Sequence, residues 1–232
     1  WNLKNLPDRD VALANFTALP SERQTAIREW LLGMCLNNFG VLDGKCPGRV
    51  QAAVRSGDLP GFYQRMLSRS EAVWEEFFEL WVVRRDVTWT SPESAAIPFL
   101  YPGSAVVMRF LGNIEDEWRW GSWRLVLDFR IDQENIPQVV FRPGVTPNVN
   151  EVGGNIITMD ANAPLDEWDV QWTIRHEFGH VLGFPDCYLE FYVPEEQVIV
   201  NYQIDPTNLM CSRSGKLQEQ HYRRMRDAHY KP

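Results

Sequence analysis

The run His176-Glu177-Phe178-Gly179-His180-Val181-Leu182-Gly183-Phe184-Pro185-Asp186 decides how the rest of the chain is read. Two imidazoles four residues apart on a helix project from one face, close enough to hold a single metal ion. Glu177 sits beside the first imidazole, within reach of water at such an ion. Pro164 and Asp166 introduce the helix, and Gly183 with Pro185 stops it near Leu182. Gly183 can adopt a positive φ and turn the chain back, so that Asp186 arrives three residues later with a carboxylate oxygen. His176, His180 and Asp186 are therefore the candidate metal ligands. Zinc takes such N and O donors and leaves a fourth place for solvent. The chain has four His in all, and two of them fall in this pattern, which makes chance a poor account of it.

Outward from this run, hydrophobic spacing predicts the other elements. Toward the N-terminus, Ser21 and Gln24 form a capping-box pattern, and Ala26, Ile27, Trp30, Leu31 and Met34 follow at helical spacing before Gly40. A shorter helix around Val50 to Val54 ends at Gly57. Ser70 is expected to open another, with Val73, Trp74, Phe77, Phe78 and Trp81 on one face. After Arg85 the period changes. Trp123, Leu125, Leu127, Phe129 and Ile131 alternate with Arg124, Val126, Asp128 and Arg130, the pattern of a half-buried strand. Ala105 to Phe110, Gln138 to Phe141, Asn155 to Ala161 and Val198 to Tyr202 are shorter strand candidates. A last amphipathic helix carries Leu217, Tyr222, Met225 and Ala228. Helices, then sheet, then the helix bearing the motif imply an α+β fold.

Composition excludes several functions. Over 232 residues, 44% are hydrophobic and 23% charged, the balance of a folded globular protein. The formal net charge is −8, and no basic stripe exists to displace counterions from nucleic acid. Arg223-Arg224-Met225-Arg226 reads as one solvated helical turn. No stretch of 18 apolar residues spans a membrane. Four Cys, none in Cys-x-x-Cys spacing, suit two disulfides and an oxidising, extracellular compartment. Cys35 and Cys46 are expected to pair across the short loop Leu36 to Lys45; the alternative is that the Cys35 thiolate stands on the metal and holds the protein latent. Asn15-Phe16-Thr17 spells a glycosylation acceptor.

The motif resembles the metzincin zinc signature, His-Glu-x-x-His-x-x-Gly-x-x-His, with Asp186 in place of the last His as in the snapalysin-like branch of secreted metalloproteases. Metzincins carry a Met in a tight turn beneath the metal, and Asn208-Leu209-Met210 stands where that turn falls, with a helix following. The resemblance implies a secreted, monomeric zinc endopeptidase acting on proteins or peptides. Its general base is Glu177 and its metal-site floor Met210. It also implies a metzincin-like catalytic domain over residues 84–232, with an upper part 84–183 and a lower part 184–232. A helical segment 1–83, either pro-segment or part of that domain, precedes it. In the family the edge strand before the active-site helix pairs with extended substrate, a place that Asn155, Ile156, Ile157 and Thr158 occupy here. A bridge from Cys187 to Cys211 would pin the ligand loop to the Met-turn. Where some metzincins have Tyr two residues after the Met, this chain has Ser212, leaving Tyr188, Tyr192 and Tyr202 as candidates to stabilise an oxyanion.

Two other readings compete. A thermolysin-like site would take its third ligand from Glu190, Glu195, Glu196 or Glu219. A non-catalytic zinc-containing binding protein would fill all four metal positions with side chains.

Overall fold

The computed structural model describes residues 2–40, 43–193 and 197–230, and side chains throughout these except at residues 72–75, 189, 191, 193 and 202. In chain order the elements are α1 (Arg9–Ala14), α2 (Ser21–Phe39), α3 (Cys46–Ser56), α4 (Leu59–Trp74), β1 (Thr88–Ser91), β2 (Ser94–Leu100), α5 (Ala105–Glu117), β3 (Arg119–Trp120), β4 (Trp123–Arg130), β5 (Gln138–Arg142), β6 (Asn148–Val149), β7 (Ile156–Asp160), α6 (Trp168–Leu182), β8 (Tyr188–Val193), β9 (Val198–Gln203) and α7 (Glu219–His229). The class is α+β. The chain divides into two compact units, one of Trp1–Glu76 with Tyr188–Ile204, the other of Phe77–Cys187 with Asp205–Pro232.

The first unit is built by helices. In α2 the buried Ile27, Leu31, Cys35 and Leu36 recur at helical spacing, and they pack with Val50 of α3 and Leu59, Phe62, Tyr63 and Met66 of α4. Gly57 ends α3 in the left-handed conformation that a residue without Cβ adopts freely. A disulfide joins Cys35 to Cys46 inside this core. Two sequence expectations need correction. Pro20, not Ser21, precedes the first turn of α2, and the Gln24 amide donates to Leu19 O at 2.9 Å instead of closing a capping box. Ser70 lies inside α4, where its hydroxyl donates back to Met66 O at 2.9 Å; such back-bonding lets serine sit within a helix it was expected to start. The Val73 and Trp74 side chains lie outside the described set, while Phe78 is fully buried and Trp81 is 69% exposed. Strands β8 and β9 pair antiparallel, Tyr188 opposite Gln203.

The second unit holds two sheets. One runs β1-β2-β4-β3, with β2 and β4 parallel and α5 crossing between them; the other runs β5-β7-β6, with β5 and β7 parallel and β6 antiparallel to β7. Strand β4 shows the alternation read from its sequence: Trp123, Leu125 and Leu127 are buried between exposed or half-buried neighbours, and Ile131 beyond its end is exposed. The core joins them to Ala95, Ile97 and Phe99 of β2, Ile157 and Met159 of β7, and Ile174, Phe178, Val181 and Leu182 of α6.

The stretch from Ala105 to Phe110 is helical, not a strand. Ser104 accepts from Val107 N at 3.5 Å, and Phe110, Leu111 and Ile114 form one buried face. The β-branched pair Val106-Val107 suggests a strand, but the buried face has helical period and needs the longer window to show it. The expected edge strand is also corrected. Ile156, Ile157 and Thr158 lie on β7, which is flanked on both sides: Val139 pairs with Ile157 from β5, and Val149 pairs with Ile157 from β6. Asn155 precedes the strand and holds neighbouring backbone. The two residues of β6 are too short to announce a strand by alternation, so the sequence pattern places the outer position one strand too far inward.

Candidate metal centre

Helix α6 presents both histidines because its apolar face is buried: Ile174, Phe178, Val181 and Leu182 are each fully buried, and His176, Glu177 and His180 are at most 9% exposed. Gly183 caps the helix at φ 101°, and a Cβ there would lie 2.0 Å from Val82 O, so the turn needs glycine on both counts. His180 O accepts from Gly183 N at 3.0 Å and from Gly153 N at 2.7 Å, which ties the end of the helix to the loop before β7. Arg84, itself 8% exposed, donates to Gly153 O at 3.0 Å, Val181 O at 3.3 Å and Asn155 Oδ1 at 2.8 Å while pairing with Asp86 at 2.6 Å.

The imidazoles are oriented from behind. His176 Nδ1 lies 2.8 Å from Leu209 O and His180 Nδ1 lies 2.9 Å from Phe184 O. A carbonyl only accepts, so each Nδ1 carries the proton and each Nε2 of a neutral ring carries a bare lone pair. Both lone pairs meet one atom: Asp186 Oδ1 lies 3.1 Å from His176 Nε2 and 3.3 Å from His180 Nε2. Oxygen Oδ1 is buried and has no hydrogen-bond donor among the described residues. One ligand atom from each of the three side chains lies within 4.8 Å of the others. Tetrahedral bonds of about 2.0–2.1 Å place neighbouring donors roughly 3.3 Å apart. The residues therefore fit a small divalent cation, and the His-His-Asp group could hold one.

The charges around it respond accordingly. Burial opposes ionisation of Asp186, but the hydrogen-bonding imidazoles outweigh it and hold the carboxyl far below its ordinary range. Burial lowers His180, yet Asp186 and then Glu177 raise it overall. Glu177 is raised above the usual carboxylate value, chiefly because it is buried and against the pull of His176, His180 and Arg213.

Beneath the ligands the chain makes a tight turn. Met210 is fully buried, and its N–H donates to Asn208 Oδ1 at 2.8 Å. Its sulfur stands where a Cβ on Gly179 would come within 2.2 Å, so the sulfur fills the space that this glycine leaves on α6. Cys187 N donates to Met210 O at 3.0 Å, and a disulfide joins Cys187 to Cys211. The ligand Asp186 and the turn at Met210 are thus fastened together covalently one residue away from each.

Of the candidates read from sequence, His176, Glu177, His180, Asp186 and Met210 come together. Glu219 pairs instead with Arg223 at 2.6 Å, Glu190 accepts from Asn201 at 3.3 Å, and Glu195 and Glu196 lie outside the described residues. Cys35 is bound to Cys46 and has no thiolate to offer. Tyr188 and Tyr192 belong to β8 in the other compact unit, and the Tyr202 side chain is outside the described set. Sequence reading missed Arg84 and the buried ion pair of Arg175 with Glu117 at 2.5 Å, whose carboxylate also accepts from Lys216 Nζ and Leu217 N. Arg175 inside the buried helix face was the one signal available, since an interior guanidinium requires a partner.

No protein-family model matches the chain, and no curated protein matches it. Among solved structures, the structure of myroilysin is similar to 44% of this chain at 19% identity, with a TM-score of 0.30. The match spans about half of the myroilysin chain, 53%. A likeness that low carries no weight for family or activity. Among the described residues, no helix is long and apolar enough to cross a membrane.

Proposed function

We propose that the chain is a secreted, zinc-dependent endopeptidase of metzincin type, acting as a monomer on protein or peptide substrates, with Asp186 as its third ligand. The observation that carries this is the meeting of two bare imidazole nitrogens and one carboxylate oxygen at 3.1 and 3.3 Å. Electron-pair donors held that close without a hydrogen between them repel unless a cation lies among them.

Zinc bound there would act as a Lewis acid and bring the pKa of water at its open position from 15.7 down to roughly 7. The remaining work belongs to the protein. His176 and His180 hold the ion, their rings fixed by Leu209 O and Phe184 O, and Asp186 completes the protein ligands. Glu177 takes a proton at its carboxylate as water attacks the peptide carbonyl and returns it to the leaving amine. Its burial keeps bulk water from competing for that proton. Met210 supports the ligands from below. An extended substrate would add along the outer side of β6, the short terminal strand of the β5-β7-β6 sheet. Every residue with an assigned role lies in the unit of Phe77–Cys187 and Asp205–Pro232. Within the proposed catalytic domain of 84–232, Gly183 separates upper and lower parts, and residues 1–83 precede it as pro-segment or integral helical part. The two disulfides are compatible with an extracellular protein.

Metal analysis of the full chain and of Asp186→Ala tests the centre. One zinc per chain is expected in the first and a large loss in the second. Protein digestion should cease with chelator and return with zinc. Stoichiometric zinc in Asp186→Ala would remove this ligand set and favour a more distant third ligand.

A further inference from the structure

The turn after Met210 displays a cation beside the metal centre. Arg213 is exposed, and among the described residues it has neither an ion pair nor a hydrogen bond from its guanidinium. The backbone that carries it is unusually constrained. Ser212 N donates to Asn208 O at 3.0 Å, Gly215 N to Ser212 O at 2.8 Å, and Lys216 N to Thr207 O at 2.9 Å. A Cβ on Gly215 would sit 2.2 Å from Asn208 O, so the turn is closed as tightly as a backbone allows. Cys211, two residues earlier, is held by its disulfide, and Leu209 O of the same turn fixes the His176 ring. The flanking Ser212 and Ser214 hydroxyls bond each other at 3.1 Å, leaving Arg213 as the side chain of this stretch free to meet another molecule.

We propose that Arg213 is a specificity-determining residue that selects substrates bearing a carboxylate next to the scissile bond. The inference rests on the endopeptidase reading. A rigid turn tied to a metal ligand fixes where the guanidinium starts, and its long side chain can then fork onto a planar carboxylate. Its field already reaches the active carboxylate, since Arg213 is among the charges that favour ionised Glu177. In the protein alone that charge has no closer partner among the described residues; a substrate carboxylate supplies one. The carboxylate can come from an Asp or Glu side chain or from the chain terminus of a peptide.

Three hydroxamate-capped ligands separate these cases on the zinc-loaded full chain. They carry Glu amide, Gln amide, or Gln with a free terminal carboxylate, and binding is followed by calorimetry without any turnover. Glu amide or the free-terminus Gln should bind about tenfold more tightly than Gln amide, as a charge-assisted hydrogen bond implies. Whichever of the two gains identifies the source of the carboxylate. Arg213→Gln should abolish the difference while leaving Gln amide unaffected, and Arg213→Glu should reverse it. In cleavage of matched Glu and Gln peptides, the preference should appear in KM more than in kcat. Equal binding of all three ligands by the native protein, or an undiminished preference in Arg213→Gln, would overturn the proposal while the metal centre stood. Failure of every ligand to bind would instead sink the metal centre, and the inference with it.

Discussion

A carboxyl group only 4% exposed, as Glu177 is, costs free energy to keep charged, and a protein retains one in such a place for chemistry or for pairing. Among the described residues it makes no ion pair, and it stands between the two ligand histidines in sequence. Glu177→Gln keeps the shape and removes the base. It should retain zinc while lowering kcat by on the order of 10²–10⁴, measured by metal content and protein digestion in parallel. His221 is another buried titratable group, with a different consequence. Its Nδ1 accepts from Gln218 N at 3.1 Å, and Phe78, Trp118 and Phe184 present ring edges or faces to it. Burial lowers its pKa from 6.5 to about 3. The depressed value means that the unfolded chain binds the proton first. Stability from this residue is therefore intact above pH 6.5 and erodes as pH falls toward 3. At pH 5 the loss is about 2 kcal/mol. Urea unfolding of metal-free protein between pH 7 and 5 should show that fall, and His221→Leu should lack this part of it.

At the scale of elements, the end of α6 matters most, because it aims His180 and sends the chain on to Asp186. Gly183 combines φ 101° with a Cβ direction blocked by Val82 O at 2.0 Å. Gly183→Ala would meet the left-handed penalty of about 1–2 kcal/mol and a backbone clash besides. A loss above about 2 kcal/mol in urea unfolding, together with weaker zinc binding, is expected; an unchanged midpoint would show that the turn can relax. Helix α6 and β4 were legible in the sequence, since each keeps its hydrophobic period over enough residues to be unambiguous. Helix α5 was not, because its opening Ala105-Val106-Val107-Met108 is short, apolar and β-branched. The position of β7 was not legible either. Whether a strand is central or outer depends on which distant segments pair with it, and β6 supplies only Asn148 and Val149.

Over the whole molecule, the proposed centre couples metal binding to folding. His176 and His180 come from α6, Asp186 from the following loop, and the carbonyl behind His176 from Leu209, 33 residues away. An unfolded chain cannot present these groups together, so zinc should bind the folded form and stabilise it. At free zinc about a thousand times its Kd, the gain is about 4.1 kcal/mol. Thermal unfolding with and without chelator should show a Tm that rises with zinc, and no shift in Asp186→Ala.

The sequence by itself determined the residues of the centre, because His176, Glu177, His180, Gly183 and Asp186 lie within one helix and its exit, where spacing alone sets direction. The turn at Met210 came from resemblance, and its seat under Gly179 from packing. Only the tertiary structure decided that Arg84 clamps the loop before β7, that Glu117 neutralises Arg175, and that β6 covers β7. Each of those depends on contacts between segments far apart in the chain, where local periodicity carries no information about the partner.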